Sequence, residues 1–167
     1  YLEVGGKSFK KTTTEILNKK EVIGLNVTIP YKSEIIKIIN KTNTHAKNIG
    51  AVNCVYKKSK KISGTNTDWI GYKKSIKGFG ISKSKTVLIL GGGGAAKAIL
   101  YSFIKAGHQN IYVFNRTKKQ LNINNRKFFT KSYSSFGKHT ASANLIINTT
   151  PTNPLSKKQC EQVKKNT

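Results

Sequence analysis

The feature that most constrains this chain is a short apolar run that leads directly into four consecutive glycines. Residues 87–90 have the length and composition of a buried strand, and residues 91–94 are the glycines. Residues 95–106 then have the spacing of an apolar helix, which Gly107 can end, and residues 111–114 form a second apolar run. Strand, glycine turn, helix and strand in this order predict the first βαβ unit of a dinucleotide-binding fold.

The glycines are the residues that we expect to bind the phosphates of such a cofactor. Gly91 permits the tight turn, and Gly93 lets the backbone approach a pyrophosphate. The amides of Gly94 and Ala95, at the start of the helix, are placed to bind the anion. A glycine cluster alone can also be a flexible loop. Here the strand before it and the helix after it are both recognisable, which favours the cofactor site.

The end of the second strand indicates which dinucleotide is bound. An NAD site usually has Asp or Glu about 20 residues after the glycines, where it holds the ribose 2′-hydroxyl. This chain has Asn115, Arg116 and Thr117 there, followed by Lys118 and Lys119, with no acid nearby. Because a guanidinium binds phosphate oxygens bidentately, Arg116 suits a 2′-phosphate. These residues predict NADP.

The net charge raises a different class of function. The 167 residues include 31 Lys and Arg against 6 Asp and Glu, which gives +25 and would normally suggest nucleic acid or an anionic surface. The lysines are spread through every segment, however, and an arginine-rich helix, an RNP-like strand and zinc spacing are missing. A compositional bias explains the charge equally well. We therefore expect no specific nucleic-acid partner and no metal site, with a basic nucleic-acid-binding protein of Rossmann-like fold as the alternative.

Cysteines and hydropathy limit the cellular setting. Cys54 and Cys160 lie far apart in unrelated contexts, so we expect free thiols in a reducing compartment and a cytoplasmic protein. No apolar run approaches the length of a membrane span. The chain begins at Tyr1 without a methionine or a signal-like segment, and we expect it to be a fragment.

The sequence before the glycine stretch predicts a region of mixed helices and strands, and residues 78–85 have the composition of a domain junction. We expect helices after Ser8 and Ser33, over residues 69–77 and in the tail. We expect strands at residues 24–30, 51–56, 61–65 and 145–148. Residues 118–129 have at best the pattern of a poor helix.

Single residues outside the glycine stretch give weaker indications. Asp68 is the only aspartate, but it can simply cap the helix that follows it. Lys32 is one lysine among many, for which a solvated surface position is the default. Asn53 can be a turn residue, and Thr28 can be an ordinary β-branched strand residue.

Six motifs taken together are more specific than any one of them. In order along nearly the whole chain they resemble the shikimate dehydrogenase family. The motifs are Asn-Val-Thr-Ile-Pro-Tyr-Lys (26–32), Gly-Ala-Val-Asn (50–53), Gly-Thr-Asn-Thr-Asp (64–68), the glycine turn, Asn-Arg-Thr (115–117) and Ile-Asn-Thr-Thr-Pro (147–151).

The resemblance implies a two-domain α/β enzyme that reduces 3-dehydroshikimate to shikimate with NADPH, in chorismate and aromatic amino acid biosynthesis. It assigns residues 1–83 to a small substrate-binding domain and residues 84–167 to a Rossmann-like NADP-binding domain, both incomplete. A quinate/shikimate dehydrogenase relative is the alternative, and monomer and homodimer both remain open. The implied catalytic residues are Lys32 and Asp68, which also bind substrate together with Thr28 and Asn53. The implied cofactor residues are Gly91, Gly93, Gly94, Ala95, Asn115, Arg116, Thr117, Asn148 and Thr149.

Several positions depart from the family's pattern. Trp69 stands where the family commonly has glycine, and Asn153-Pro154 replaces a Gly-Met pair. A second basic residue often follows Asn-Arg-Thr, and here the neighbourhood offers Lys118, Lys119 and Gln120. The family's N-terminal Ser-x-Ser strand and its C-terminal helices have no counterpart in the chain.

Overall fold

The computed structural model describes residues 2–59 and 61–165, except for the side chains of residues 164 and 165. The structure is a mixed α/β fold, which confirms the predicted class. The α-helices are α1 (Phe9–Asn18), α2 (Thr44–Ile49), α3 (Asp68–Ser75), α4 (Gly94–Lys105), α5 (Gly137–Thr140) and α6 (Lys157–Lys165). The strands are β1 (Gly24–Asn26), β2 (Lys41–Thr42), β3 (Cys54–Lys58), β4 (Lys61–Thr65), β5 (Thr86–Leu90), β6 (Ile111–Phe114), β7 (Gln120–Ile123), β8 (Arg126–Phe129) and β9 (Ala143–Asn148). Short 3₁₀ helices cover Glu34–Lys37, Lys77–Phe79 and Tyr133–Ser135.

The chain divides into two compact units, one that ends at Thr67 and one that begins at Asp68. Helix α3 packs within the second unit against α4. The ring of Trp69 meets that of Tyr101 edge-on at a centroid distance of 5.3 Å, and Ser102 Oγ donates to the Trp69 carbonyl at 2.9 Å. The functional division at residues 83/84 stays a prediction.

The first unit is built on a four-stranded sheet in the order β1–β3–β4–β2. β3 pairs antiparallel with β1 and β4, while the short β2 pairs parallel with β4. Helix α1 buries Phe9, Thr13 and Leu17, which lie four residues apart on one face. Phe9 and Leu17 share one apolar core with Val52 and Val55 of the sheet region.

Two elements of the first unit are shorter or tighter than predicted. The strand expected over residues 24–30 ends at Asn26, and a turn follows in which the Tyr31 N–H donates to the Thr28 carbonyl at 2.9 Å. The helix expected after Ser33 is one turn of 3₁₀ helix, Glu34–Lys37. Its flanking isoleucines are β-branched and lose side-chain freedom in an α-helix, so the local sequence does not extend the helix further.

Helix α2 was not predicted, although its end signals are present in the sequence. The side chain of Asn43 caps the helix by accepting a hydrogen bond from the Ala46 N–H at 2.8 Å. Gly50 ends it in the left-handed conformation, with φ of 66°. The helix is only six residues long, so its apolar face is too short to give a clear periodicity.

The second unit contains a parallel sheet in the order β6–β5–β9, with β5 in the middle. Residues 87–90 of β5 are completely buried, as a parallel strand covered on both faces requires. Helix α4 follows β5 and buries Leu100 and Phe103. The predicted strand, glycine turn, helix and strand are all confirmed. The carboxyl ends of the three strands lie at one edge, where ligands bind in open α/β sheets.

Residues 118–129 do not form a helix, so the prediction for this segment is wrong. The segment is a hairpin in which β7 pairs antiparallel with β8. Leu121 and Ile123 are buried between exposed neighbours, which is a period of two residues. Asn124 and Asn125 form the turn with φ values of 51° and 61°, a conformation that asparagine tolerates better than most residues. The alternation is visible in the sequence but extends over only four residues.

The structure also bears on the state of the cysteines and on membrane and metal binding. Cys54 and Cys160 are both free thiols, as predicted. Within the described ranges, no helix is long and apolar enough to cross a membrane. The same ranges contain no group of three His, Cys, Asp or Glu side chains arranged to hold a metal ion.

The pH dependence of stability should depend on His108, which is 6% exposed and packs edge-on against Phe103. Burial lowers the pKa of His108 below its ordinary value, and the charge of Lys83 lowers it further. The unfolded chain therefore binds this proton first, so stability should be retained above about pH 6.5 and should fall as the pH drops below it. The slope from this one group cannot exceed about 1.4 kcal/mol per pH unit.

Chemical denaturation between pH 5 and pH 8, roughly the range in which histidine titrates, checks this expectation. His108→Leu should flatten the acid-side slope, whereas His45→Gln, at an exposed position on α2, should not. An unchanged slope in His108→Leu would contradict the assignment.

Candidate active site

The glycine turn at the carboxyl end of β5 is fixed by close backbone packing. Gly91 has φ of 108°, which is accessible to glycine but strained for other residues. Its N–H donates to the Phe114 carbonyl at 2.7 Å. A Cβ at this position would overlap Thr149 Oγ1 and lie 3.1 Å from Thr150 Cγ2. Both the backbone conformation and the available space therefore require glycine at position 91.

The start of α4 is open in a way that protein packing does not explain. Gly93 is the residue before the helix, and a Cβ built on it would meet nothing within 4 Å. The first N–H groups of a helix, here those of Gly94 and Ala95, lack partners inside the helix. The first turn also has no acidic side chain. The arrangement leaves room for an anion beside the first amides of the helix.

The end of β9 lies against this turn. The N–H and the Oγ1 of Thr149 both donate to the Leu90 carbonyl, at 2.9 and 2.6 Å. Asn148 Oδ1 accepts hydrogen bonds from the N–H and Oγ1 of Thr150, at 2.9 and 2.6 Å. These bonds hold the predicted cofactor residues Asn148 and Thr149 at the edge that carries the glycine turn. Direct contact of either residue with a cofactor stays a prediction.

The end of β6 carries the residues predicted for the 2′-phosphate. Asn115 is braced on both sides, because its N–H donates to the Lys131 carbonyl at 2.9 Å and its Nδ2 donates to the Thr117 carbonyl at 2.7 Å. Arg116 and Thr117 are exposed. The sequence has no Asp or Glu between Asp68 and Glu161. The edge of the sheet is therefore strongly electropositive around Arg116.

Tyr133 is a residue at this edge that sequence reasoning missed. Burial raises the pKa of its hydroxyl, while a hydrogen bond with the Gly91 backbone and the charge of Arg116 oppose that rise. Both the Gly91 backbone and the charge of Arg116 therefore act on the Tyr133 hydroxyl. The ring packs on the core formed by Leu90, Phe114 and their neighbours. Tertiary packing brings Tyr133 here, so no local motif could have marked it.

In the first unit, the segments of Thr28, Lys32 and Asn53 lie side by side. The Val27 N–H donates to the Asn53 carbonyl at 2.8 Å, and the Val52 N–H donates to the Lys32 carbonyl at 2.6 Å. Thr28 is exposed, whereas Lys32 and Asn53 are half-buried. Backbone pairing thus gathers three predicted substrate residues from two separate motifs.

The side chain of Asn53 fixes the residue before Asp68. Its Nδ2 donates to Thr67 Oγ1 at 2.9 Å, and its Oδ1 accepts from the Thr67 N–H at 2.8 Å. Next to it, the buried Asn66 donates to the Ala51 carbonyl at 3.0 Å. Hydrogen bonds of Asn53 and Asn66 therefore hold the motif of residues 64–68 against the motif of residues 50–53.

Asp68 is the first residue of α3. A carboxylate in the first turn of a helix is stabilised by the partial positive charge of that end. This placement accounts for an acid at the position without any catalytic role. The catalytic assignment of Asp68 therefore stays a prediction, as does that of Lys32.

Family models match both units of the chain. Residues 1–55 match the shikimate dehydrogenase substrate binding domain, and residues 73–167 match shikimate / quinate 5-dehydrogenase. The second match alone covers more than half of the sequence. The chain belongs to the shikimate dehydrogenase family.

Individual relatives of the family agree with this assignment. The chain is similar to the shikimate dehydrogenase (NADP(+)) of Aquifex aeolicus, with 38% identity over 149 residues that cover 89% of the chain and 55% of the relative. The crystal structure of shikimate dehydrogenase 1 from Peptoclostridium difficile superposes with a TM-score of 0.82 at 31% identity, covering 96% of this chain and 62% of that one. A shikimate dehydrogenase solved in complex with NADP+ has a TM-score of 0.68 at 30% identity, covering 92% and 56%. The chain thus spans about half the length of the curated relatives it matches.

Departures from the family's pattern have structural roles here. The ring of Trp69 packs on Tyr101 of α4, so part of its bulk serves helix packing. Asn153 orders the loop before α6, because its Oδ1 accepts from the Leu155 N–H at 3.1 Å and its Nδ2 donates to Cys160 Sγ at 3.4 Å. The effects of these residues on substrate and nicotinamide binding stay predictions.

Proposed function

We propose that the protein containing this chain is an NADP-dependent shikimate dehydrogenase, which reduces 3-dehydroshikimate to shikimate in aromatic amino acid biosynthesis. One observation carries the proposal: an open, acid-free helix start follows the glycine turn at the same sheet edge as Arg116. Family membership supplies the reaction, and the motifs of Lys32 and Asp68 supply the candidate catalytic groups.

The residues at this edge fit a phosphorylated dinucleotide. The space above Gly93 and the amides of Gly94 and Ala95 suit a pyrophosphate. Arg116 suits the 2′-phosphate, since no carboxylate is nearby to bind a 2′-hydroxyl instead. A relative of 30% identity is solved with NADP+, which supports the same cofactor here. Bound NADPH would supply the hydride that reduces the ketone.

Lys32 has the chemistry that reduction of a ketone needs from the protein. Negative charge develops on the carbonyl oxygen as the carbon is reduced, so a cation and a proton donor are required beside it. The Lys32 ammonium can stabilise that charge and then donate a proton to the oxygen. In the reverse direction the neutral amine accepts the proton from the hydroxyl of shikimate.

Asp68 and Asn53 would give the substrate its orientation. A carboxylate at position 68 can accept hydrogen bonds from a substrate hydroxyl. The Asn53 amide can supply a directional hydrogen bond to another. Polar groups that a bound substrate shields from water discriminate strongly against an analogue that lacks the matching hydroxyl.

Quinate/shikimate dehydrogenase is the alternative within the family. Initial rates of NADP+ reduction with shikimate and with quinate, catalysed by the full reading frame that contains this chain, distinguish the two. We expect turnover of shikimate, and a comparable kcat/KM for quinate would favour the alternative.

A cytoplasmic location also belongs to the proposal, supported by the free thiols of Cys54 and Cys160.

Arg116 should give the protein its preference for NADPH over NADH. Arg116→Ala should weaken NADPH binding by about 1.5–3 kcal/mol, because it removes charge-assisted hydrogen bonds to a phosphate that NADH lacks. Fluorescence titration of both cofactors measures the change. Arg126→Ala, at an exposed position at the start of β8, is the matched control and should alter neither affinity. Equal affinities for NADPH and NADH before and after Arg116→Ala would contradict the cofactor assignment.

A further inference from the structure

Helix α3, whose first residue is the predicted catalytic Asp68, is held on the second unit by a few specific contacts. All eight residues of α3 are at least partly exposed, so the helix has no fully buried side chain to fix it. Its aromatic contacts with α4 come from Trp69 and Tyr72. These two residues are three positions apart and so lie on the same face of the helix.

Trp69, the residue directly after Asp68, is bound to α4 through both its side chain and its main chain. Its ring meets the ring of Tyr101 edge-on at 5.3 Å, and Ser102 Oγ donates to its carbonyl at 2.9 Å. The other acceptor near Ser102 Oγ, the Ala98 carbonyl of its own helix, is farther away at 3.1 Å. Tyr101 is 1% exposed and Ser102 is 3% exposed, so both partners are fixed in the interior of the unit. The first turn of α3 is therefore anchored at two points.

Tyr72 makes a comparable contact one turn further from the aspartate. Its ring meets that of Phe103 at a centroid distance of 5.8 Å and an angle of 60°. Burial raises the pKa of Tyr72 to about 12, in agreement with a ring that is partly covered by α4. Helix α3 thus has one aromatic contact next to Asp68 and a second one away from it.

The residue on the other side of Asp68 is also fixed. Thr67 is hydrogen-bonded to the side chain of Asn53 through both its N–H and its Oγ1, at 2.8 and 2.9 Å. With both neighbours held, the backbone of Asp68 has little freedom. An aspartate has one sp³–sp³ torsion between its backbone and its carboxyl group, so the position of the carboxylate closely follows that of the backbone.

Helix α4 carries both the anchor of Trp69 and the amides proposed for the pyrophosphate. The amides of Gly94 and Ala95 begin the helix, and Tyr101 follows seven residues after Gly94. At a rise of about 1.5 Å per residue, the two sites lie roughly 10 Å apart along one rigid helix. Hydride transfer requires substrate and cofactor to be held in a fixed mutual geometry. The contacts of Trp69 provide such a connection between Asp68 and the cofactor-binding helix.

We propose that Trp69 is a positioning residue, whose anchor on α4 fixes the Asp68 carboxylate relative to the cofactor-binding start of that helix. The inference rests on the proposed function, because it requires Asp68 to bind the substrate. A displacement of about 1 Å in a group that orients a reactant can lower the rate about 100-fold. Loss of the Trp69 anchor should therefore affect catalysis through Asp68 and leave the cofactor residues in place.

Oxidation of shikimate by the full reading frame tests the proposal with Trp69→Ala and its matched control Tyr72→Ala. We expect Trp69→Ala to lower kcat/KM for shikimate by about 10- to 100-fold. The affinity for NADP+, measured by titration, should be nearly unchanged. Trp69→Phe keeps an aromatic ring for the edge contact and should restore most of the activity. Tyr72→Ala should lower the midpoint of thermal unfolding as Trp69→Ala does, but it should retain near wild-type kcat/KM.

Two further variants separate positioning from a general loss of structure. In an Asp68→Asn background, Trp69→Ala should cause little additional loss of turnover, because Trp69 acts through that carboxylate. Ser102→Ala removes the hydrogen bond to the Trp69 carbonyl with only a small change in volume. It should lower kcat/KM for shikimate in the same direction, and it remains informative if Trp69→Ala does not fold.

The outcomes distinguish this inference from the proposed function. Equal kcat/KM in Trp69→Ala and Tyr72→Ala, or an undiminished effect of Trp69→Ala in the Asp68→Asn background, would overturn the inference alone. Normal turnover in Asp68→Asn would remove the role of Asp68 and the inference with it. A folded wild-type protein that does not oxidise shikimate would overturn the proposed function as well.

Discussion

Lys32→Ala is expected to lower the turnover of 3-dehydroshikimate by about 10²–10⁴-fold, the usual contribution of a positioned general acid. The ammonium would interact most strongly with the oxygen as charge develops on it, so the loss should appear mainly in kcat. NADPH affinity should remain nearly unchanged, because the cofactor residues belong to the other unit. Steady-state kinetics and cofactor titration on the same preparation measure both quantities.

A matched control separates loss of catalysis from loss of any lysine in this region. Lys37 lies five positions further along, in the 3₁₀ helix Glu34–Lys37, and pairs with Glu34 at 2.7 Å on the surface. Exposed ion pairs contribute at most about 1 kcal/mol to stability. Lys37→Ala should therefore retain near wild-type turnover. If both variants lose turnover equally, Lys32 has no special role.

Asp68→Asn is expected to lower turnover by roughly 10²–10³-fold without a matching loss of stability. Asparagine keeps the shape of the side chain and much of its ability to stabilise the start of a helix, but it removes the charge. A residue that only begins α3 would tolerate the change, whereas a group that orients the substrate through its charge would not. Turnover and the midpoint of thermal unfolding, measured together, distinguish these two roles.

The double variant adds a test of whether the two residues act together. Lys32→Ala combined with Asp68→Asn should be little worse than the worse single variant, since groups that act as a unit are not additive. Fully multiplicative losses would indicate independent roles. Normal turnover and stability in Asp68→Asn alone would leave the aspartate as a helix-start residue.

Local periodicity predicted the part of the fold that surrounds the cofactor site. Residues 87–90 and the four glycines after them carry a strong signal, because a buried parallel strand and a tight turn each restrict composition severely. The same reasoning failed for residues 118–129, where only Leu121 and Ile123 alternate and an asparagine turn replaces the usual glycine. Short elements give too few repeats to determine their period.

Some residues of the candidate site could likewise be placed from the sequence, and others could not. Gly91 and Arg116 were predictable, since a turn and a strand end place them by sequence alone. Tyr133 and the anchor of Trp69 on α4 were not, because both depend on tertiary packing. Among 31 Lys and Arg residues, Lys32 could be singled out only through its motif and the resemblance that the motif carries.

Reduction of 3-dehydroshikimate by the full reading frame, with NADPH and NADH compared under identical conditions, tests the central claim most directly. The account predicts stoichiometric oxidation of NADPH with formation of shikimate. It also predicts a kcat/KM for NADPH at least about 10-fold above that for NADH, the ratio that about 1.4 kcal/mol of 2′-phosphate recognition gives. A folded protein that binds NADPH but forms no shikimate, or that uses NADH equally well, would contradict the account.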